Sequence, residues 1–194
     1  MPDPIGRPEN DDAPGRVAYQ GAPGAFSHEA CTAIRPSDVA VPFDSFAGAL
    51  DALRSGDCRT ALIPVENSTI GAVEPAATLV REGGFKILAD VWRPIRHALM
   101  AVPGARLSDI RTIESHPIAL DQCRVNLGKL GAKIIVAFDT AGAARDVAEA
   151  GEPSRAALAP MGAAEAYGLE ILRNDLQDSA DNRTRFVLLT LDKG

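Results

Sequence analysis

Asp181-Asn182-Arg183-Thr184-Arg185-Phe186-Val187-Leu188-Leu189 begins as a polar run and ends as an apolar one, with no glycine or proline at the join. The apolar half continues to Leu191 and has the length and composition of a buried strand. A hydroxyl between two arginines therefore stands where a strand enters a core. Such a stretch is either a solvated loop feeding an edge strand or a polar site held by a sheet, and the rest of the chain has to decide between them.

Working backwards from it, short apolar runs alternate with alanine-rich segments that end in glycine, the rhythm of an α/β protein. Strands are expected at 17–19, 39–43, 61–65, 85–93, 97–102, 112–114, 133–136, 156–159 and 185–191, with helices between them. Ser45 is placed to cap a helix over 46–55, whose apolar spacing at Phe46, Ala49, Leu50 and Leu53 precedes the stop signal Gly56. Thr140 is placed to cap 141–150 before Gly151. Pro117 and Pro160 suit the first turns of two more helices, where a missing N–H costs nothing, and Gly168 ends the second. The long run over 85–102, broken by Pro94, reads as a crossing between two lobes. A return through 174–186 would put the opening stretch at the second crossing, beside a cleft. Residues 1–15 carry four prolines, two glycines and four acids with almost nothing to bury, and are expected to form a disordered leader.

Composition narrows the function. The 194 residues are 46% hydrophobic and 24% charged, enough for a proper core, and the formal charge is -6. An acidic chain with one Trp, two Tyr and six Phe offers neither the basic surface nor the stacking platforms that nucleic acid needs. No apolar run approaches the ~18 residues of a membrane span, and the N-terminus lacks a signal-peptide pattern, so no membrane partner and a cytoplasmic location are expected. Cys31, Cys58 and Cys123 are odd in number and scattered, which favours small core residues in a reducing compartment over a disulfide frame. His28, His97 and His116 have no partners at metal spacing, no cysteine looks activated, and no dinucleotide fingerprint or Gly-x-Ser-x-Gly elbow is present. Neither a metal nor a cofactor is signalled.

Four polar segments interrupt the apolar pattern where strands end or helices begin, the places where open α/β sheets bind ligands. Gly21-Ala22-Pro23-Gly24-Ala25-Phe26-Ser27 is either a plain tight turn or an anion-holding helix start. In Glu66-Asn67-Ser68-Thr69, a carboxylate, an amide and two hydroxyls exceed what capping needs, which points to a polar substrate. His116, in Ser115-His116-Pro117, could serve as a base or as a cap. Asp139-Thr140-Ala141-Gly142 is a helix start of small residues, either a simple cap or a place where a ligand could approach backbone N–H groups.

Taken in order, these segments resemble the catalytic domain of prephenate dehydratase over about residues 16–191. The resemblance rests on Gly21 to Ser27, Pro64-Val65-Glu66-Asn67-Ser68, Ser115-His116-Pro117, Tyr167-Gly168-Leu169 and Asn182-Arg183-Thr184-Arg185-Phe186. It implies a two-lobed α/β fold like the type II periplasmic binding proteins, with the active site in the interlobe cleft. One lobe would hold about 16–92 and 184–192, the other about 93–183, within a catalytic domain of 16–192. It also implies loss of water and carbon dioxide from prephenate, or the related arogenate, without a cofactor, on the route to phenylalanine. Thr184 carries over as the catalytic threonine. Asn67, Ser68, Ser27, Thr140, Arg185, Glu66 and Phe186 are the expected substrate-binding set, with a structural salt bridge to an acid such as Glu66 as the alternative for Arg185, and a homodimer is expected. Two positions depart from the family's pattern, Ala25 where threonine is common and Ile118 where glutamine is. The chain also stops at Gly194, where relatives usually continue into a phenylalanine-binding ACT domain, so a catalyst without that control is expected. The competing readings are a cytosolic small-carboxylate sensor of the same two-lobed type and a relative that only decarboxylates prephenate.

Overall fold

The computed structural model describes residues 15–192, so the expected leader, apart from Gly15, lies outside the described residues. The first half of the chain builds one sheet from β1 (Arg16–Gln20), β2 (Val39–Phe43), β3 (Thr60–Asn67), the short β4 (Gly71–Ala72) and β5 (Phe85–Pro94). Helices α1 (Phe26–Ile34), α2 (Phe46–Ser55) and α3 (Ala76–Glu82) lie between these strands. The second half builds another sheet from β6 (Ala98–Ala101), β7 (Thr112–Ser115), β8 (Lys133–Val136), β9 (Arg155–Ala159) and β10 (Glu170–Arg173). With it come α4 (Pro117–Gln122), α5 (Arg124–Gly128), α6 (Thr140–Ala150) and α7 (Met161–Tyr167). The last strand, β11 (Arg183–Leu191), returns to the first sheet, whose order is β2-β1-β3-β11-β5, with β4 on β3. The second sheet runs β10-β6-β9-β7-β8.

β1 is parallel to β2 and β3, whereas β11 enters between β3 and β5 antiparallel to both. The chain is thus a two-lobed α/β protein of the type II periplasmic-binding-protein-like kind, joined by segments 95–97 and 174–182. These segments are zipped together: Ile95 N–H donates to Asn182 O at 2.9 Å, and Leu176 N–H donates to His97 O at 2.9 Å.

The central strands of each sheet are covered on both faces, so β3, β6, β9 and the later part of β11 read as continuous apolar runs. On the first, Leu62, Phe186 and Leu188 pack with Cys31 of α1, while Ile63, Val187 and Leu189 pack with Leu50 and Leu53 of α2. On the second, Leu158 faces Leu120 and Leu127, and Ala157 faces Ala143 and Val147 of α6. Helix ends follow local chemistry. Ser45 Oγ accepts from Gly48 N–H at 3.0 Å, and Gly56 closes α2 in the left-handed conformation at φ 83°.

Several expectations need correction. Asp139, not Thr140, caps α6, because its carboxylate reaches Gly142 N–H while Thr140 is already helical. Pro160 stands at the cap of α7 rather than in its first turn. β11 starts two residues early, at Arg183, since Thr184 and Arg185 pair on both sides with Asn67, Glu66, Arg93 and Trp92. β4 and β10 were not foreseen: the first is two residues long, and the second sits at the edge of its sheet with Glu170 and Arg173 exposed.

The lobes also touch directly. Gly162 N–H, at the start of α7, donates to Glu29 Oε1 of α1 at 2.7 Å. Beside it Gly24, at φ 82°, lies so close to α7 that an added Cβ would come within 2.5 Å of Ala163 Cα. Only glycine fits that turn and that approach.

Candidate active site

A β-bulge sets up the site. Phe186 pairs with Pro64 but Arg185 pairs with Glu66, so β3 carries one extra residue, Val65, at this point. Without it Glu66 would stand opposite Thr184. With it, Asn67 does, and Pro64, Asn67, Thr184 and Phe186 all face one cavity of about 270 Å³ between the lobes. Ser27 and Phe26 of α1 line the same cavity, as do Asp139 and Thr140 of α6, together with His97, His116 and Gln122. A second hollow of about 400 Å³ shares Ile70, Ile118 and Gln122 with it and widens the cleft towards Asp178 and Ser179.

The polar groups in the cavity form one connected chain. Asn67 Oδ1 accepts from the backbone N–H of Thr69 at 2.9 Å and of Ile70 at 3.2 Å. Its Nδ2 donates to Thr184 Oγ1 at 2.9 Å and to Asn182 Oδ1 at 3.0 Å. Asn182 Nδ2 in turn donates to Gln122 Oε1 at 3.0 Å, which lies 3.2 Å from His97 Nε2. Asn67, Asn182, Thr184 and His97 are all buried, so these bonds sit where water does not compete for them. Because Thr184 Oγ1 already accepts from Asn67, its own proton is left to point at whatever occupies the cavity.

The expected residues divide. Thr184, Asn67, Ser27, Thr140 and Phe186 come together in the cavity. Arg185 and Glu66 do not, because neighbouring strand residues face opposite ways. The Arg185 guanidinium lies across Asp90 and reaches Glu66 Oε2 at 3.3 Å. That pairing pushes Arg185 above its usual range and holds Asp90 below the ordinary carboxylate range. Ser68 is exposed and latches the crossing instead, donating to Asp181 O at 3.0 Å and accepting from Arg183 N–H at 2.9 Å. His116 caps α4 through Nδ1, which accepts from Ile118 N–H at 3.2 Å.

No lysine or arginine lines the cavity, so an anion there depends on helix N-termini. No side chain caps α1 at Ala25, where a threonine would have offered a hydroxyl, and its first turn opens next to Ser27. At α6 the Asp139 carboxylate occupies Gly142 N–H, which makes α1 the better of the two for a negative group. Ile118, the other departure, is partly exposed and forms apolar wall shared by both hollows.

Sequence reasoning missed His97, Gln122 and Asn182 as site residues. A signal existed for His97: like Thr184, it is a polar residue at the head of an apolar strand run, Ala98-Leu99-Met100-Ala101. The three cysteines are free and buried, and burial pushes the Cys31 and Cys123 thiols up to about 12, far from a reactive thiolate. Among the described residues no group of three or more His, Cys, Asp or Glu side chains is placed to hold a metal ion, and no helix is long and apolar enough to cross a membrane.

Residues 17–194 match the family model described as prephenate dehydratase. The chain belongs to the prephenate dehydratase family. A bifunctional N-acyl-homoserine lactone acylase/prephenate dehydratase of Komagataeibacter europaeus is 40% identical over 172 residues, 89% of this chain and 61% of that protein. Arogenate dehydratase/prephenate dehydratase 1 of Arabidopsis thaliana is 38% identical over 181 residues, 93% of this chain and 46% of that protein. The crystal structure of a prephenate dehydratase from Arthrobacter aurescens in complex with L-Phe superposes with a TM-score of 0.81 at 32% identity, covering 92% of this chain and 61% of the other. This member of the prephenate dehydratase family therefore spans about half to three-fifths of these relatives' lengths.

Proposed function

We propose that this chain carries out the dehydratase reaction itself, converting prephenate, or arogenate, to phenylpyruvate or phenylalanine with loss of water and carbon dioxide. The observation that carries the reading is the Thr184 hydroxyl, held from behind by Asn67 so that its proton is free on the cavity side. In the reaction the bond from the ring to its carboxylate breaks and leaves carbon dioxide. That electron pair enters the ring, which becomes aromatic, and the bond to the opposite hydroxyl breaks. One proton completes the water. Thr184 supplies or relays that proton, and such general-acid assistance contributes typically ~10²–10⁴-fold. The first turn of α1 beside Ser27, with Thr140, holds the carboxylates, while Phe186 and Phe26 wall the ring. An elimination of this kind needs no cofactor.

The test is to incubate the purified protein with prephenate and, separately, arogenate, following phenylpyruvate absorbance and phenylalanine formation. Turnover with either supports the proposal. Binding without product would favour a small-carboxylate sensor, and carbon dioxide release with the hydroxyl retained would favour a decarboxylase. The Komagataeibacter relative's name makes N-acyl-homoserine lactone the control substrate, and hydrolysis of it without dehydration would overturn the reading. The buried free cysteines suit a reducing compartment, and we place the protein in the cytoplasm. A weak homodimer, seen as a mass shift in light scattering across a dilution series, completes the proposal.

A further inference from the structure

The chain of amides running through the cleft has a fixed direction. Backbone N–H groups can only donate, so Thr69 and Ile70 force the Asn67 oxygen towards themselves and its Nδ2 towards Thr184 and Asn182. Asn182 must then present its oxygen to Asn67 and its nitrogen to Gln122. Gln122 must present its oxygen to Asn182, and that same oxygen faces His97 Nε2. An oxygen cannot donate here, so His97 Nε2 carries the proton. In a neutral ring this leaves Nδ1 as a bare acceptor. Every amide orientation in the row follows from the two backbone donors at its start, with no free choice along the way.

At its far end the chain is unfinished. His97 is 2% exposed, and its Nδ1 is a buried nitrogen with no partner among the described residues and almost no accessible surface, on a side chain that lines the cavity holding Thr184, so a ligand donor reaches it only when the ring or its cover shifts on binding. Its Nε2 is occupied by Gln122, its ring stands edge-on to Phe26 at 5.1 Å, and its backbone N–H and C=O are taken by Gln177 and Leu176. A buried acceptor left unmet costs free energy in the empty protein, and that cost is recovered when a ligand supplies a donor.

We infer that His97 is a further substrate-contacting residue of the proposed reaction: its Nδ1 accepts a hydrogen bond from an O–H or N–H of the bound molecule, while Thr184, at the other end of the same chain, donates one. The site thus reads its ligand as an acceptor near Thr184 and a donor near His97. Two groups can supply the donor. The ring hydroxyl, which would have to lie between the two residues to accept from Thr184 and donate to His97 at once, is common to prephenate and arogenate, whereas the side-chain ammonium belongs to arogenate alone. Burial holds His97 below the usual histidine range and so keeps it in the accepting form at neutral pH. The other titratable side chains on the cavity are His116 and Asp139. This inference rests on the dehydratase reading.

Two substitutions separate the ends of the ring. In His97→Gln the amide nitrogen falls near the Nε2 position, keeping a donor for Gln122 and removing the Nδ1 acceptor. In His97→Asn the amide oxygen falls near Nδ1, keeping the acceptor and losing Gln122. The expected result is a loss of about tenfold or more in kcat/KM for His97→Gln, the scale of one unmet hydrogen bond, and a smaller loss for His97→Asn. Equal losses of His97→Gln on prephenate and arogenate assign the donor to the hydroxyl, and a loss larger on arogenate assigns it to the ammonium. His97→Gln at wild-type rates, or His97→Asn worse than His97→Gln at equal folding, would overturn the inference. A readout independent of turnover is long-range ¹H–¹⁵N NMR of the wild-type protein at neutral pH. It should show His97 unprotonated at Nδ1, with that resonance moving when prephenate is added. A ring protonated at Nδ1 would overturn the inference whatever the rates. A wild-type protein inactive on both substrates, with Nδ1 still bare and still responding to prephenate, would instead remove the dehydratase reading and leave the contact standing.

Discussion

Replacing Thr184 with valine removes one hydroxyl and almost nothing else. The two side chains have nearly the same shape, and Thr184 is only 7% exposed, so packing against Phe186 and Asn67 is kept. The structural loss is one hydrogen bond, which leaves an Asn67 Nδ2–H buried without an acceptor, a cost of about 1–3 kcal/mol. The catalytic loss is separate. If the hydroxyl protonates the leaving group, its removal costs ~10²–10⁴ in turnover, equivalent to about 3–5 kcal/mol in the barrier. The two are distinguished by measuring urea unfolding and phenylpyruvate formation on the same preparation. Thr184→Ser tests the geometry further, because serine keeps the hydroxyl but lacks the branch that restricts its rotamer, so it should retain part of the rate. The valine variant, folded and turning over within a few fold of wild type, would refute the assignment of Thr184.

Arg185→Lys should leave KM unchanged and move the urea midpoint only slightly, since the guanidinium serves partly exposed pairs with Asp90 and Glu66; a raised KM would return Arg185 to the substrate. Gly24→Ala strains a left-handed turn by roughly 1–2 kcal/mol and drives a methyl into α7, so a raised KM is expected, and an unchanged KM would count against any part for this interlobe contact in binding. His28 and His97 both lie below the usual histidine range through burial, so as pH falls below about 6.5 the unfolded chain binds protons that the folded chain does not. Their contribution is therefore complete above that value and lost beneath it, and a urea midpoint that stays flat from pH 7 to 5 would contradict this. Glu29 works the other way: burial raises its carboxyl, so it favours the fold less as pH climbs through and above 4.5, and Glu29→Gln should be the more stable protein near pH 7 but not near pH 4.

Much of the fold was legible because it rests on local signals. The cap at Ser45, the glycine stops at Gly56 and Gly168, and the break at Pro94 each act within a few residues of themselves. Thr184 was legible for a related reason, since a hydroxyl at the head of an apolar strand is costly unless something needs it. What could not be read was the register between distant strands. The bulge at Val65 decides whether Glu66 or Asn67 meets Thr184, and nothing in Pro64-Val65-Glu66-Asn67 announces it. For Arg185 the pairing with Glu66 was legible as an alternative to substrate binding, whereas Asp90, on a different strand, was not. His97, Gln122 and Asn182 come from three segments 25 to 85 residues apart in pairs, and only the folded chain makes them neighbours.

The clasp between the lobes bears on how products leave. Where Gly24 rests on Ala163 and Glu29 holds Gly162 N–H, the two lobes are pinned to each other by one turn lying against one helix start. In the proposed reaction one product is a small neutral gas and the other an aromatic anion with a side chain. The gas can leave while the lobes stand as they are, whereas the bulkier aromatic acid waits on the hinge if its exit requires the clasp to part. Carbon dioxide would then depart at the pace of the chemistry and the aromatic acid at the pace of the hinge, so the turnover number belongs to whichever of the two is slower.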